Sequence, residues 1–272
     1  MPEGPEIRRA ADQIAGVLER QEADDVYFAF AELAPYASVL RGRIVRAVEP
    51  RGKALLIRFA GDLSIYSHNQ LYGRWFVRDR HDPPRTARQL RLAIHTRRRS
   101  ALLYSASEIA VLDAEAEAAH PFLSRLGPDI LDPRLRPARI AQRLGQRRFR
   151  RRGVGSLLLD QGFLAGTGNY LRSEILFVAG VRPDVRPSDL DEDRVRGLAW
   201  AVREISRRAY RTGGITNDPE RVAALKDAGV PRSDHRFFVF GRDGRPCRDC
   251  GAAILRRDVA GRRLYHCPHC QR

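Results

Sequence analysis

Two groups of residues in this sequence carry chemistry by type and spacing. Cys247, Cys250, Cys267 and Cys270 are the only cysteines, and they stand as two C-x-x-C pairs near the end of the chain. Each pair makes one short knuckle, and two knuckles brought face to face supply the four thiolates of a tetrahedral zinc site. Two disulfides are the alternative, disfavoured in a reducing cytoplasm, and a redox pair would need a βαβ setting that is missing here. Four thiolates leave no open position for water, so the expected zinc is structural. His266 and His269 are surplus to such a site and are expected at the surface.

The other group is at the start. A chain that opens Met-Pro is expected to lose its methionine, leaving Pro2 as a free secondary amine. An α-amino group titrates near 7.7 to 8.0, so roughly a tenth to a fifth is neutral at pH 7, far more than for an ordinary lysine. Glu3 and Glu6 stand beside it. They suit either proton transfer during attack on a sugar carbon or complementing the positive end of a helix. Lys53 is one of two lysines, with Lys226, in a chain that otherwise uses arginine for positive charge. An ammonium can give up a proton where a guanidinium cannot, which suits acid-base work near a phosphate; a plain turn lysine is the other reading.

These residues need elements to hold them. Ile7, Ala10, Ala11, Ile14, Val17 and Leu18 recur at helical spacing after Pro5, which predicts an amphipathic helix with proline in its first turn. Strands are expected at Ile44 to Val48 and Ala54 to Phe59 around a turn at Pro50, Arg51 and Gly52, then at Leu63 to Tyr66, Trp75 to Val77, Leu90 to Thr96 and Ile109 to Leu112. Such short strands predict a sheet pair or sandwich. From about His120 the pattern turns helical, with Ser188 read as the cap of an acidic first turn and Gly213 and Gly214 as its end. Ile254 to Tyr265 can form the hairpin between the cysteine pairs.

Composition narrows the partner. The 272 residues are 43% hydrophobic and 30% charged, those of a globular chain, and Lys plus Arg exceed Asp plus Glu by 49 to 33, a net charge of +16. That balance favours a polyanion, nucleic acid first. No acidic residue lies between Asp132 and Asp160, while nine arginines from Arg134 to Arg152 do, which reads as a phosphate-facing element. No apolar run approaches the roughly 20 residues that span a bilayer and the start does not resemble a signal peptide, so the expected location is the cytoplasm, without membrane attachment.

Four motifs in order, Pro2-Glu3-Gly4-Pro5-Glu6, Lys53 in its turn, Gly166-Thr167-Gly168-Asn169-Tyr170 and Cys267-Pro268-His269-Cys270-Gln271, make nearly the whole chain resemble the formamidopyrimidine-DNA glycosylase and endonuclease VIII family. The resemblance implies an α+β chain: a catalytic N-terminal two-layer β-sandwich with its N-terminal helix over residues 1–120, a helix-two-turn-helix DNA-binding domain over 121–236, and an antiparallel zinc-finger hairpin over 237–272. It implies a bifunctional glycosylase and abasic-site lyase of base excision repair, acting as a monomer on double-stranded DNA with damaged bases or abasic sites. The damaged nucleotide is flipped out. Pro2 attacks the sugar C1′, expels the base and forms a Schiff base, and β- then δ-elimination cuts the strand. Glu3 carries over as the proton donor that opens the sugar, Lys53 as the donor in β-elimination, and Arg262 as the phosphate-gripping residue of δ-elimination. Asn169, opening a helix, and Arg125 carry over as DNA contacts.

Ser67 to Trp75, SHNQLYGRW, resembles the endonuclease VIII branch, in which Gln70, Leu71 and Tyr72 fill the hole left by the flipped nucleotide. A tight turn with Leu71 and Tyr72 in the core is the alternative. The branch implies oxidised pyrimidines as substrate. The same chemistry on oxidised purines and formamidopyrimidines is the near rival, and a zinc-dependent DNA-binding protein without catalysis the more distant one. Asn217 to Arg236 matches neither branch.

Overall fold

A computed structural model describes residues 2–272. Its contacts divide the chain into two units, the first ending at Arg125 and the second spanning Leu126–Arg272.

The first unit opens with α1, Gly4–Leu18, which carries Pro5 in its first turn and buries Ile7, Ala11, Ile14 and Leu18 at three- and four-residue steps. Glu3 is its N-cap, with the Glu3 amide donating to Glu6 Oε2 at 3.0 Å in a capping box. A short helix, α2 (Pro35–Leu40), follows β1 (Asp25–Phe28). The remaining strands are β2 (Val45–Arg51), β3 (Ala54–Phe59), β4 (Ser64–His68), β5 (Arg74–Asp79), β6 (Leu90–His95), β7 (Arg99–Tyr104) and β8 (Glu108–Leu112). They form two antiparallel four-stranded sheets, ordered β1-β6-β7-β5 and β2-β3-β4-β8. Leu55, Ile57 and Phe59 of β3, Ile65 of β4, Leu92 and Ile94 of β6 and Leu103 of β7 share one core with Ala11, Ile14 and Leu18 of α1. Cutting one of these large side chains to alanine would cost about 2–5 kcal/mol.

Three details differ from the sequence expectation. β2 runs through Pro50 and Arg51, so the turn is Gly52-Lys53, closed by the Arg51–Ala54 pair. The missing N–H of Pro50 is harmless because β2 is an edge strand, and the position next to the closing pair of a two-residue hairpin points its amide away from the partner. β1 and β7 escaped the periodicity, β1 for its length of 4 residues and β7 because Ser100 to Tyr104 are all buried, without alternation. The outer face of the second sheet is also covered: α3 (Ala114–Ala119) and the turn at Leu123–Arg125 bring His120 and Phe122 against Tyr66, at ring separations of 4.3 and 6.5 Å.

The second unit holds α4 (Pro137–Leu144), α5 (Val154–Leu157), α6 (Asn169–Val178), α7 (Glu192–Thr212), α8 (Pro219–Asp227) and α9 (Arg232–His235), then the hairpin β9 (Leu255–Val259) and β10 (Arg262–His266). One core joins α4 to α7 with the hairpin: Leu171, Ile175, Leu198, Val202 and Ile205 pack with Ile254, Leu264 and Cys267 of the hairpin region. The cap of α7 is Asp191, whose side chain accepts from the Arg194 amide, and not Ser188, which sits in a preceding 3-10 turn behind Pro187. Gly213, at φ 69°, ends α7 as expected.

Candidate functional site

The start of α1 keeps Pro2 half-buried and Glu3 almost wholly buried, at 3% exposure. The cap that orders the helix fixes Glu3 next to Pro2, so an amine on Pro2 would be held at the edge of a rigid element beside a carboxylate withdrawn from water.

Lys53 follows Gly52, whose φ of 64° is the left-handed first position of a two-residue hairpin turn. The turn keeps Lys53 at 9% exposure. The ladder continues across the sheet, pairing Ala54 with His68 and His68 with Glu108, so one row of the register gathers chemistry at one end of the sheet. Glu108 accepts from the Tyr66 hydroxyl at 2.9 Å and from Gln70 Nε2 at 3.1 Å. Burial, aided by the nearby Lys53 charge, holds His68 below the usual histidine range despite Glu108. The geometry agrees, since His68 Nδ1 accepts from the Gln70 amide at 3.1 Å and so is unprotonated.

Beyond His68 the chain makes a tight loop. Gln70 has φ 46°, and the Gly73 amide donates to the Asn69 carbonyl at 2.7 Å. A Cβ on Gly73 would meet that carbonyl oxygen at 2.6 Å, so only glycine closes the loop. Leu71 and Tyr72 at its tip are 57% and 67% exposed, which rules out the core reading for both. Gln70 is tied at both ends, its Nε2 to Glu108 and its Oε1 to the Ser107 hydroxyl at 2.7 Å. Arg88 braces the loop from outside, donating to the Tyr72 carbonyl at 2.6 Å. Arg125 is exposed at the end of this unit.

In the second unit, Asn169 is the first residue of α6, where backbone N–H groups and the helix dipole favour an anion. Its Oδ1 accepts from Arg172 Nη2 at 2.9 Å. Arg172 is fully buried, and it also donates to the carbonyls of Arg262 at 2.7 Å, Val259 at 3.1 Å and Gly155 at 3.0 Å. One guanidinium thus fixes both the Asn169 side chain and the tip of the hairpin that carries the exposed Arg262.

The hairpin turns at Ala260 and Gly261, both at positive φ, and the four cysteine sulfurs converge within 4.8 Å of one another. The Sγ atoms of Cys250 and Cys267 are 3.4 Å apart and those of Cys247 and Cys270 are 3.9 Å apart. Tetrahedral thiolates about 2.3 Å from a zinc ion lie about 3.8 Å from each other, so the cluster has the size and donor set for such a metal ion. Gln271 locks the second knuckle, accepting from the Cys267 amide at 2.8 Å and donating to the Val181 carbonyl at 2.9 Å.

The formamidopyrimidine-DNA glycosylase N-terminal domain family matches residues 1–108 and the formamidopyrimidine-DNA glycosylase H2TH domain family matches residues 126–220. Endonuclease 8 of Salmonella agona and of Salmonella enteritidis PT4 are each 47% identical to this chain over 272 residues, covering all of both chains. The chain belongs to the formamidopyrimidine-DNA glycosylase family. The glycosylase and abasic-site lyase activity of base excision repair, expected from the sequence, is that of this family. Its fold is shared with the Lactococcus lactis Fpg (MutM) bound to DNA containing an oxidised pyrimidine, at TM-score 0.79 and 20% identity over all of both chains. A complex of the Lactococcus lactis Fpg with DNA containing an abasic site matches at TM-score 0.79 and 21% identity over 99% of each. No helix among the described residues is long and apolar enough to cross a membrane.

Within this glycosylase, several residues that organise the site were not singled out from sequence. Arg172 is one, and Gln271 reads in sequence only as the last residue of the cysteine motif, without a role of its own. Glu174 is another: fully buried in α6, it accepts from the amides of Phe238, Val239 and Phe240 at 2.8 to 2.9 Å and from the Thr216 hydroxyl. It closes the neck of the Asn217 to Arg236 excursion, which folds as α8 and α9 and is further held by Asn217 Nδ2 on the His235 carbonyl at 3.0 Å. A charged residue inside a helical pattern reads as a solvated face, so only the packing reveals these roles. His266, expected at the surface, is 2% exposed because β10 packs against α6; His269 is exposed.

Proposed function

We propose that this enzyme removes oxidised pyrimidines from double-stranded DNA through a Schiff base on Pro2, and cuts the strand by β- and δ-elimination. The reading is carried by the full-length identity of 47% to endonuclease 8 proteins, which leaves room for every motif-bearing segment. In it, neutral Pro2 attacks C1′ and Glu3, buried beside it, supplies the proton that opens the sugar. Lys53 donates in β-elimination, and Arg262 grips phosphate in δ-elimination. Asn169 and Arg125 bind backbone phosphates. Leu71 and Tyr72 wedge into the stack while Gln70 pairs with the orphaned base; a glutamine both donates and accepts, so it accommodates the purine that normally faces a pyrimidine lesion. One zinc ion held by Cys247, Cys250, Cys267 and Cys270 keeps the hairpin folded and takes no part in the chemistry. The enzyme works as a cytoplasmic monomer.

Borohydride trapping on duplexes that each carry one defined lesion tests this. Peptide mapping should place the sugar adduct on Pro2, and an adduct on Lys53 instead would overturn the assignment. Single-turnover rates should favour thymine glycol opposite adenine over oxidised guanine opposite cytosine; the reverse order would install the purine-directed alternative.

A further inference from the structure

The arginine run between Asp132 and Asp160 reads in sequence as one phosphate-facing element, and the structure divides it. Arg134 pairs with Asp132 at 3.1 Å and Arg152 with Asp160 at 2.5 Å, so the two flanking acids are already neutralised. Arg143 is buried and donates to the carbonyls of Phe163 and Gly162 at 3.0 and 2.9 Å. Arg139 donates to Gln142 at 3.0 Å, and Arg148 lies 4.3 Å over the ring of Phe149. That leaves Arg136, exposed at the start of α4, and a group of three, Arg147, Arg150 and Arg151. All three are exposed and line one hollow of about 420 Å³, and among the described residues none has an ion pair or a side-chain hydrogen bond.

The backbone beneath them is fixed. Phe149, 4% exposed, plugs into the core against Phe163 at 4.9 Å. The Phe149 and Arg150 amides donate to the Gln146 carbonyl at 2.8 and 2.9 Å, and the Ser188 amide donates to the Arg150 carbonyl at 2.9 Å. Three like charges are therefore held around one concavity with no acid among the residues that line it, an arrangement that a row of phosphates relieves. The loop leads directly into α5, whose Gly155 carbonyl is gripped by Arg172, the same residue that holds Asn169 and the hairpin tip.

We infer that Arg147, Arg150 and Arg151 form an additional contact surface for the phosphate backbone of duplex DNA, separate from the residues assigned to the lesion, which gives the enzyme a sequence-independent hold on undamaged duplex. This rests on the DNA reading above. The surface acts through charge neutralisation, so its signature is the salt dependence of binding. Each phosphate contact contributes about 0.9 to the slope of log affinity against log salt on B-form DNA. Three contacts add about 2.7, so raising salt fourfold weakens the wild type about 40-fold more than a protein without them.

The test measures fluorescence anisotropy on an undamaged duplex at four salt concentrations for the wild type, the triple variant R147A/R150A/R151A and the charge-keeping variant R147K/R150K/R151K. The alanine variant should show a slope smaller by about 2 to 3, and the lysine variant should recover most of it. A slope equal to that of the wild type in the alanine variant overturns the inference, as does a lysine variant that stays at the alanine value, which would mean a lost shape and not a lost charge. Borohydride trapping of the wild type on a lesion duplex runs alongside. A wild type that traps normally while the alanine variant keeps its slope refutes this surface alone, whereas a wild type that neither binds duplex nor traps refutes the DNA reading itself.

Discussion

Replacing Arg172 with lysine should uncouple the hairpin from α6. The guanidinium makes four short bonds: Nη1 to the carbonyls of Gly155 and Val259 at 3.0 and 3.1 Å, and Nη2 to Asn169 Oδ1 and the Arg262 carbonyl at 2.9 and 2.7 Å. These acceptors are spread around a planar fork, and an ammonium is a single point with three donors. At least two bonds are lost. Hydrogen bonds to a charged group are worth about 1.5–3 kcal/mol each, so the loss is about 3–6 kcal/mol. Small domains total about 5–15 kcal/mol, so the variant should fold yet open first at the hairpin. Urea denaturation gives the stability loss, and hydrogen exchange should show residues 255–266 deprotected ahead of α7. A double-mutant cycle then isolates the functional part. If Arg172 holds the tip on which Arg262 rides, Arg172→Lys and Arg262→Ala should be sub-additive in duplex affinity, because an unanchored Arg262 has little left to lose. Additive effects, or a stability change under about 1 kcal/mol, would refute the positioning argument.

Three further outcomes follow from the same geometry. Glu3→Gln should slow base excision by about 10²- to 10⁴-fold while leaving duplex affinity intact, read by single-turnover kinetics and anisotropy; equal loss of both would reduce Glu3 to a helix cap. Stripping metal with a chelator should release one zinc per chain by elemental analysis and weaken duplex binding while the first unit melts as before, its β-sheet core sharing no residue with the cysteine cluster. His68 is neutral in the fold because burial lowers its pKa, so its contribution to stability is full above the unfolded value of about 6.5 and is lost as pH falls through the lower folded value. NMR titration should show the Gln70 amide shifting with His68, both below about pH 6.5; a titration at or above that point would contradict the buried, accepting Nδ1.

The elements that carry motifs were legible because their signals are local. The spacing of Ile7, Ala11, Ile14 and Leu18 marks α1, and two C-x-x-C pairs with a strand-forming stretch between them mark the hairpin. What stayed hidden is non-local. Arg172 and Glu174 lie in a helix whose buried face sequence alone assigns to Leu171, Ile175 and Leu176, and five of their partners are 64 to 90 residues away in the chain. The arginine run shows the same limit from the other side: charge counting treats nine arginines alike, while the fold employs Arg143 as a buried strut and leaves Arg147, Arg150 and Arg151 unpaired. Ser188 and Asp191 are both good caps by type, and the choice fell to Asp191 because Pro187 starts a separate turn.

The loop from Asn69 to Gly73 has the marks of a segment shaped for something other than stability. A non-glycine residue at positive φ costs of order 1 kcal/mol, and Gln70 sits at 46°. Leu71 and Tyr72 leave most of their surface in water, while the bonds from the Gln70 amide to His68 Nδ1 and from Arg88 to the Tyr72 carbonyl hold the loop by its backbone. A loop built to fold would bury its leucine. A loop built to enter a base stack needs a rigid backbone and a bare apolar tip, which offsets part of the unstacking cost of about a few kcal/mol per step. Gln70 fits the same logic. Its amide is satisfied at both ends by Ser107 and Glu108, so turning it toward an orphaned base exchanges two hydrogen bonds for two others at little net cost. Glu108 then keeps the Tyr66 hydroxyl as its partner and is not left bare. The proposed wedge is thus held ready with its polar group parked, and removing the parking place by Glu108→Ala should make Gln70 mobile in the absence of DNA without removing its ability to pair. NMR relaxation of the Gln70 side-chain amide reads that mobility, and an amide as rigid as in the wild type would refute the parked state.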